Sequence, residues 1–163
     1  MPKEGKARVL TSSEFKRLLV IAKNAQFPER NEALIYCSFA LGLRAKEIAS
    51  LKVSDICDLD LKIFGEVNLT RSMTKGEKQR HIYINNPKII TSLNEHIKVM
   101  KKNEGCTFNY KGELFKTQRK SKFSPDVMQK WFANLFAQAG INGASSHSGR
   151  RTFITRLIEQ GAD

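Results

Sequence analysis

The sequence predicts a mainly α-helical domain with one small antiparallel β-sheet, an α+β fold, and three observations support this class. Apolar residues recur with helical spacing before residue 52 and again after residue 86. Between these parts, residues 62–70 and 79–84 are rich in β-branched and aromatic side chains and flank a Lys75-Gly76 turn. Capping residues, prolines and glycines stand where the helical patterns begin and end. We therefore expect a β-hairpin inserted between helices.

The part of the chain before the hairpin is predicted to form three helices. Thr11 and Glu14 have the spacing of a capping box, which begins the first helix. The second helix is nearly all apolar over residues 33–41, so we expect it to be central and buried, with Gly42 ending it. A short third helix is expected over residues 44–51.

Three more helices are predicted after the hairpin. Asn86-Pro87 is a cap followed by a proline at the first helical position, and Ser124-Pro125 begins a second helix in the same way. A basic loop with little periodicity separates them at residues 103–122. Ser146 is expected to cap the last helix. The apolar stripe of that helix, expected to face the core, consists of Phe153, Ile154, Leu157 and Ile158.

The charge of the chain indicates a polyanionic partner. The 163 residues carry a formal net charge of +12, and residues 71–122 alone contain 13 Lys and Arg against 4 Glu. Nucleic acid is the first class of partner that such an excess predicts, and an anionic membrane surface is the second. A solvated basic surface that serves solubility is the alternative.

Other function classes lack a supporting pattern. No apolar run is long enough to span a bilayer and no signal peptide is apparent, so we expect a cytoplasmic protein with no membrane partner. The three cysteines are scattered and form no CxxC pair, which predicts neither a disulfide framework nor a zinc site.

The last predicted helix carries potential cations in its first turn, at His147, Arg150 and Arg151. Cations are unfavourable at the positive end of a helix dipole unless an anion binds there, and phosphate is the usual anion. Extending the apolar stripe backwards reaches Arg150 and His147, which predicts that both project from one end of the buried face. The alternative is that Arg150 pairs with a structural carboxylate and His147 is an ordinary capping-region histidine.

Two upstream segments carry further cations with a possible role at an anion site. Arg44 begins the third helix, and Glu47 lies three residues later on the same face. A simple Arg44–Glu47 pair that stabilises the helix start is the alternative. Lys75 is predicted at the hairpin tip, where it could reach a substrate group; tip lysines are also common as protection of a sheet edge.

Taken in order, three segments resemble motifs of the tyrosine recombinase, or phage integrase, family: "LGLRAKEIASL", "MTKGEKQRHIYI" and "SHSGRRTFITRL". The resemblance to the catalytic domain of that family extends from about Leu10 to Asp163. It implies an N-terminal tail at residues 1–9 and a partial tyrosine recombinase catalytic domain at residues 10–163. The implied fold is the α+β fold of that catalytic domain.

The resemblance implies site-specific DNA recombination or integration, by strand cleavage and rejoining through a 3′-phosphotyrosyl intermediate without metal or nucleotide cofactor. Arg44 and Arg150 would clamp the scissile phosphate, Lys75 would be the general acid, and His147 would contact the phosphate and transfer a proton. Glu47 would support the site. The residues expected to contact double-stranded DNA are Lys78, Arg80, Lys116, Arg119, Lys120, Lys122 and Arg151.

The chain also departs from the family pattern. Its tyrosines, Tyr36, Tyr83 and Tyr110, do not lie where the nucleophile of the family stands, so none is expected to attack DNA. We therefore expect a fragment that cannot cleave DNA alone and is a monomer, whereas the full-length protein would act as a tetramer on DNA. The alternative is a non-catalytic DNA-binding or regulatory protein that retains the recombinase fold. A basic RNA-binding domain is disfavoured because no RNA-binding motif is present.

Overall fold

The computed structural model describes residues 7–74 and 79–161. In these residues the chain forms seven α-helices and one two-stranded antiparallel sheet, which confirms the predicted α+β class. The helices are α1 Ser12–Lys23, α2 Pro28–Phe39, α3 Ala45–Ser50, α4 Val53–Ile56, α5 Pro87–Glu104, α6 Pro125–Gln138 and α7 Ser148–Glu159, and the strands are β1 Glu66–Leu69 and β2 Arg80–Tyr83.

The predicted N-terminal caps of α1, α5 and α6 are confirmed. The Thr11 hydroxyl accepts a hydrogen bond from the backbone N–H of Glu14 at 3.1 Å, and the Glu14 carboxylate accepts one from the N–H of Thr11 at 3.0 Å. Asn86 caps α5 and Ser124 caps α6 through their side-chain oxygens. Each cap satisfies N–H groups that a helix leaves without an internal partner.

Helix α2 is the centre of the hydrophobic core, as its apolar sequence predicts. It packs against α1, α5 and α7. Its buried residues are Asn31, Ala33, Leu34, Ile35, Cys37, Ser38 and Phe39. The one amide among them is satisfied, since Asn31 Nδ2 donates to the carbonyls of Ala22 at 2.9 Å and Gln26 at 2.8 Å. These bonds join the start of α2 to the end of α1.

The predicted hairpin is also confirmed, with shorter strands than the sequence pattern indicated. Val67 pairs with Ile82, and Leu69 with Arg80. Val67, Leu69 and Ile82 are buried, so one face of the hairpin packs on the core. The predicted turn at Lys75-Gly76 lies outside the described residues.

Two expectations for the last helix are wrong. Helix α7 begins at Ser148 with His147 as its N-cap, and Ser146 is instead a buried residue before the helix. The C-terminal half of the apolar stripe does not face the core, because Leu157 is 37% exposed and Ile158 is 65% exposed.

The reason lies in the face that α7 presents to α2. Its buried residues are the small side chains of Ser148, Gly149 and Thr152. A Cβ atom added to Gly149 would lie 1.9 Å from Ser38 Oγ, so the two helices approach each other as closely as a glycine permits. This contact sets the orientation of α7 and leaves its more distal apolar residues outside.

Within the described ranges, no helix is both long and apolar enough to cross a membrane.

Candidate functional site

A cleft of about 210 Å³ brings together three of the four residues predicted to be catalytic, Arg44, His147 and Arg150. Its full lining consists of Ala7, Arg44, Ser146, His147, Arg150, Arg151 and Ile154, and we call it the basic cleft. The fourth predicted residue, Lys75, and the expected DNA contact Lys78 lie outside the described residues. Residues more than 100 positions apart in the sequence thus form one basic surface depression.

Arg150 is held at the edge of the basic cleft by the segment between α2 and α3. Its Nη1 donates to the carbonyl of Gly42 at 2.7 Å. Gly42 has a φ of +69°, which glycine adopts without strain. The ring of Phe153 occupies the space that a side chain at Gly42 would need, with Cδ2 2.3 Å from the position of an added Cβ. Glycine at this position therefore lets α7 dock and directs a carbonyl towards Arg150.

The alternative interpretation of Arg150, a pair with a structural carboxylate, finds no support in the described part of the chain. The ion pairs near the site join Glu47 to Arg44 and Arg80 instead. The guanidinium of Arg150 is half-buried, and burial lowers its pKa, with the charges of Arg80 and Arg44 acting in the same direction and Glu47 opposing them. A cation in this environment is stabilised when an anion joins it.

Arg44 is the residue immediately before α3, and Glu47 organises it. The buried carboxylate of Glu47 accepts a hydrogen bond from the backbone N–H of Arg44, with 2.8 Å between the nitrogen and Oε1. The guanidinium Nη1 of Arg44 lies 3.5 Å from Oε2, at the limit of a hydrogen bond. The sequence thus predicts the pair, and the structure shows that its main bond is to the backbone.

A second partner of Glu47 is Arg80, which the sequence analysis predicted to contact DNA. Its Nη2 donates to Oε1 of Glu47 in a short ion pair, and the Arg80 side chain is 26% exposed. Strand alternation could have predicted that the Arg80 side chain is directed inwards. In a strand, Arg80 shares one face with Ile82 and Ile84, and both isoleucines are buried.

His147 and Arg151 complete the basic cleft at the N-terminus of α7. His147 is exposed, and its backbone N–H donates to the hydroxyl of Ser145 at 3.2 Å. The hydroxyl of Ser148 in turn accepts from the N–H of Ser145 at 3.0 Å. Serine hydroxyls therefore accept from two N–H groups of the turn, and the N–H of Ser148 donates to the carbonyl of Ser145 at 2.9 Å. His147 does occupy the capping position, as the alternative interpretation held.

The predicted DNA contacts at residues 116–122 lie on a tight hairpin, which we call the 116–122 hairpin. Lys116 forms an isolated bridge with Lys122, and the N–H of Thr117 donates to the carbonyl of Ser121 at 2.8 Å. The Lys116 ammonium is engaged internally, 3.1 Å from Glu104 Oε2. The exposed cations of the hairpin are Arg119, Lys120 and Lys122.

None of the three tyrosines lines the basic cleft. Tyr36 is half-buried in α2, where burial and, secondarily, Glu32 raise its pKa. The Tyr110 hydroxyl donates to the carbonyl of Cys57 at 2.6 Å. Tyr83 is 64% exposed on the outer face of β2. The phenol groups of this chain are thus held away from the cations.

In residues 7–74 and 79–161, no three His, Cys, Asp or Glu side chains converge in the way that a metal site requires.

The sequence model of the phage integrase family matches residues 8–163, so this chain belongs to that family. Among curated proteins, it is similar to the tyrosine recombinase XerD of Oceanobacillus iheyensis, with 31% identity over 158 residues that cover 95% of this chain and 50% of the relative. XerD of Rickettsia bellii is 33% identical over 168 residues, covering 95% of this chain and 52% of the relative. The chain spans about half the length of the curated relatives it matches.

Solved structures confirm the predicted recombinase fold. The crystal structure of XerA recombinase superposes with a TM-score of 0.75 at 22% identity, covering 98% of this chain and 53% of that one. The integrase of the Tn1549 transposon, solved in complex with a circular intermediate DNA, has a TM-score of 0.75 at 18% identity and covers 99% of this chain and 56% of that one. The mainly α-helical fold with its small hairpin is therefore that of a tyrosine recombinase catalytic domain.

Proposed function

We propose that this chain supplies the phosphate-activating part of a site-specific DNA recombinase, which cleaves and rejoins strands through a 3′-phosphotyrosyl intermediate. The observation that carries the proposal is the presence of Arg44, His147 and Arg150 around one cleft at a helix N-terminus. Relatives named tyrosine recombinases, and an integrase solved with DNA, support the substrate class. Double-stranded DNA is then the partner, and the full-length protein would assemble on it as a tetramer.

The proposed chemistry needs cations and a source of protons. A tyrosine oxygen attacks the phosphorus, the bond from phosphorus to the 5′ oxygen breaks, and the negative charge of the transition state gathers on the non-bridging oxygens. Arg44 and Arg150 stabilise that charge. Lys75 gives a proton to the leaving 5′ oxygen, and His147 accepts the phenolic proton. The phosphotyrosyl bond keeps the energy of the phosphodiester, so rejoining is the same step reversed.

The nucleophile in this proposal comes from outside the chain described here. Tyr36, Tyr83 and Tyr110 do not line the basic cleft, and the raised pKa of Tyr36 and of Tyr110 disfavours the phenolate that would attack. Glu47 contributes through the arginine it holds and takes no part in bond breaking.

Arg150→Ala tests the proposal, in a longer form of the protein that supplies a nucleophilic tyrosine. We expect cleavage of a nicked duplex to slow by about 10²–10³, the usual cost of removing one donor to a transition-state oxyanion. Affinity for the uncleaved duplex should fall by less than about tenfold, because one phosphate contact among many is lost. Arg156→Ala is the control, since Arg156 lies on the same helix and does not line the basic cleft. Equal losses of cleavage rate and of DNA affinity would mean that Arg150 only contacts the DNA backbone and does not stabilise the transition state.

The position of the tyrosines also favours a second candidate, a non-catalytic DNA-binding or regulatory protein that keeps the recombinase fold. Incubation with a nicked duplex, followed by denaturing electrophoresis, separates the two. The chain alone should form no covalent adduct under either proposal, and an adduct would contradict both. A longer form should form one only if the recombinase proposal is right.

A further inference from the structure

Three arginines and one carboxylate meet beside the basic cleft. Arg44 and Arg80 pair with Glu47, and Arg150 lies close enough for its pKa to respond to the charges of all three, so the group has an excess of two formal positive charges. Glu47 is 0% exposed, whereas the side chains of Arg44 and Arg80 are 34% and 26% exposed. The carboxylate is therefore inaccessible to solvent and can be neutralised only by the groups that already touch it.

The two oxygens of Glu47 are used unequally. Oε1 accepts from both the backbone N–H of Arg44 and the guanidinium of Arg80. In the described part of the chain, Oε2 lies 3.5 Å from Nη1 of Arg44, a distance at which a hydrogen bond is weak. Arg80 thus forms the closer ion pair, and the guanidinium of Arg44 lies farther from the carboxylate.

The unequal use of the two Glu47 oxygens is important because a carboxylate and an arginine side chain prefer to form two parallel hydrogen bonds. Without Arg80, the ties of the buried Glu47 carboxylate within residues 7–74 and 79–161 would be the backbone bond and the 3.5 Å side-chain contact, both with Arg44. The guanidinium of Arg44 would then be the one placed to neutralise it. Arg44 would then turn towards Glu47 and away from the basic cleft that it lines. A buried carboxylate without its partner is costly enough to force such a movement.

We infer that Arg80 is a positioning residue: it neutralises Glu47 so that the guanidinium of Arg44 stays available to a phosphate in the basic cleft. This inference rests on the proposed function. It differs from the DNA contact that the sequence predicts for Arg80, because the guanidinium of Arg80 is paired with the buried carboxylate of Glu47. Its Nε is buried and has no hydrogen-bond partner in the described part of the chain.

Titration of the ¹⁵N-labelled 163-residue chain with inorganic phosphate, followed by the Nε–Hε resonances of Arg44 and Arg150, tests the inference. Arg80→Gln should weaken phosphate binding by about tenfold, the loss of one charge-assisted hydrogen bond, and should shift the Arg44 resonance before any phosphate is added. Arg156→Gln is the matched control. It removes one positive charge from a half-buried arginine outside the basic cleft and should change affinity less than about twofold.

The decisive variant is Glu47→Gln combined with Arg80→Gln, which has the same net charge as the original chain. No carboxylate then remains to draw Arg44 away, so we expect phosphate affinity to return to within about threefold of the original. If Arg80 contacted phosphate directly, the added Glu47→Gln change would restore nothing, and the inference would be overturned. It would also be overturned if Arg80→Gln bound phosphate as well as the Arg156→Gln control.

A second comparison applies if Arg80→Gln does not fold. Glu47→Gln alone and Glu47→Gln with Arg80→Gln should bind phosphate equally within about threefold, because Arg80 has nothing left to neutralise. A larger loss on removing Arg80 from the Glu47→Gln chain would refute the positioning role. The failure of the proposed function is distinguishable from all these results: in that case phosphate would not shift Arg44 or Arg150 in the original chain.

Discussion

At the residue scale, His96 is a histidine held neutral inside the protein. It is 4% exposed, its ring stacks on Phe115 with 5.0 Å between centroids, and its Nε2 donates to the carbonyl of Leu114 at 2.7 Å. Burial lowers the pKa of His96 to about 4; the bond to Leu114 opposes this shift and the charge of Arg30 adds to it. The sequence contained no signal for this role.

The lowered pKa predicts how stability depends on pH. The unfolded chain binds a proton at this histidine near pH 6.5 and the folded chain only near pH 4, so the unfolded state holds more protons between these values. The stability that depends on neutral His96 is therefore complete above about pH 6.5 and is lost as the pH falls. We expect the free energy of unfolding in urea to decrease by about 1.4 kcal/mol per pH unit in this window.

His96→Gln should remove that slope between pH 6.5 and pH 5, whereas His81→Gln should keep it, because the His81 side chain is 54% exposed. If the free energy of unfolding of His96→Gln still decreased by the same amount per pH unit, another group would be responsible for the pH dependence.

Single residues of the site were predictable where their partners are close in sequence. Arg44 and Glu47 are three positions apart, and helical spacing alone places them together. The partnership between Arg80 and Glu47 spans 33 positions. Strand alternation indicates an inward direction for Arg80, whereas the sequence analysis assigned this residue to DNA contact. The direction of a side chain can be read from local spacing, whereas the identity of a distant partner cannot.

At the element scale, the contact between α7 and α2 depends on Gly149. We expect Gly149→Ala to lower the free energy of unfolding by about 1–3 kcal/mol, because the added methyl group overlaps Ser38. This sign is informative, since alanine is intrinsically the better helix former by up to about 1 kcal/mol. Urea denaturation measures the difference.

Gly65→Ala is the control for this substitution, with no atom within 4 Å of an added Cβ and an expected change below about 0.5 kcal/mol. Adding Ser38→Ala to Gly149→Ala should recover part of the loss, since the remaining nearest contact is Ser38 Cβ at 2.8 Å. A Gly149→Ala chain as stable as the original would contradict the packing described here.

The starts of helices that depend on residues within one turn were predicted well. The way in which α7 packs against α2 was not predicted. The caps at Thr11, Asn86 and Ser124 are bonds within one turn, so the residue type is sufficient to identify them. The stripe from Phe153 to Ile158 correctly groups residues on one face of α7. Periodicity does not reveal which part of a face meets the core, and here the close approach of Gly149 and Ser38 decides it.

At the scale of the whole molecule, the net charge of +12 predicts how the chain binds its proposed partner. We expect binding to duplex DNA of arbitrary sequence to weaken steeply between about 50 and 200 mM salt, as phosphate contacts release counterions. Neutralising the exposed cations of the 116–122 hairpin, with Arg119→Gln, Lys120→Gln and Lys122→Gln together, should lower the slope of log affinity against log salt by about 1–3 units. Fluorescence anisotropy with a labelled duplex measures this slope.

A control variant carries the same change of charge elsewhere: Lys16→Gln, Lys23→Gln and Lys130→Gln. Two of these lysines lie near acids, Lys23 at 3.7 Å from Glu32 and Lys130 at 3.3 Å from Asp126. We expect this variant to keep the original slope. Identical slopes for the two triple variants would show that net charge alone governs binding and that the 116–122 hairpin has no special role.

The hydrogen bond from Arg150 to Gly42 closes a loop of 108 residues. Closing a loop of this length costs more entropy than forming the local contacts of a helix, so we expect this bond to form late in folding. The basic cleft therefore cannot exist in a nascent chain that lacks α7, because His147, Arg150 and Arg151 at the start of that helix form part of its lining. Conversely, an anion that binds the completed cleft stabilises every element between α2 and α7 by mass action. Anion binding in the basic cleft thus depends on the folding of the whole domain. The bound anion contacts residues from the first third of the chain, such as Arg44, and from the last third, such as Arg150.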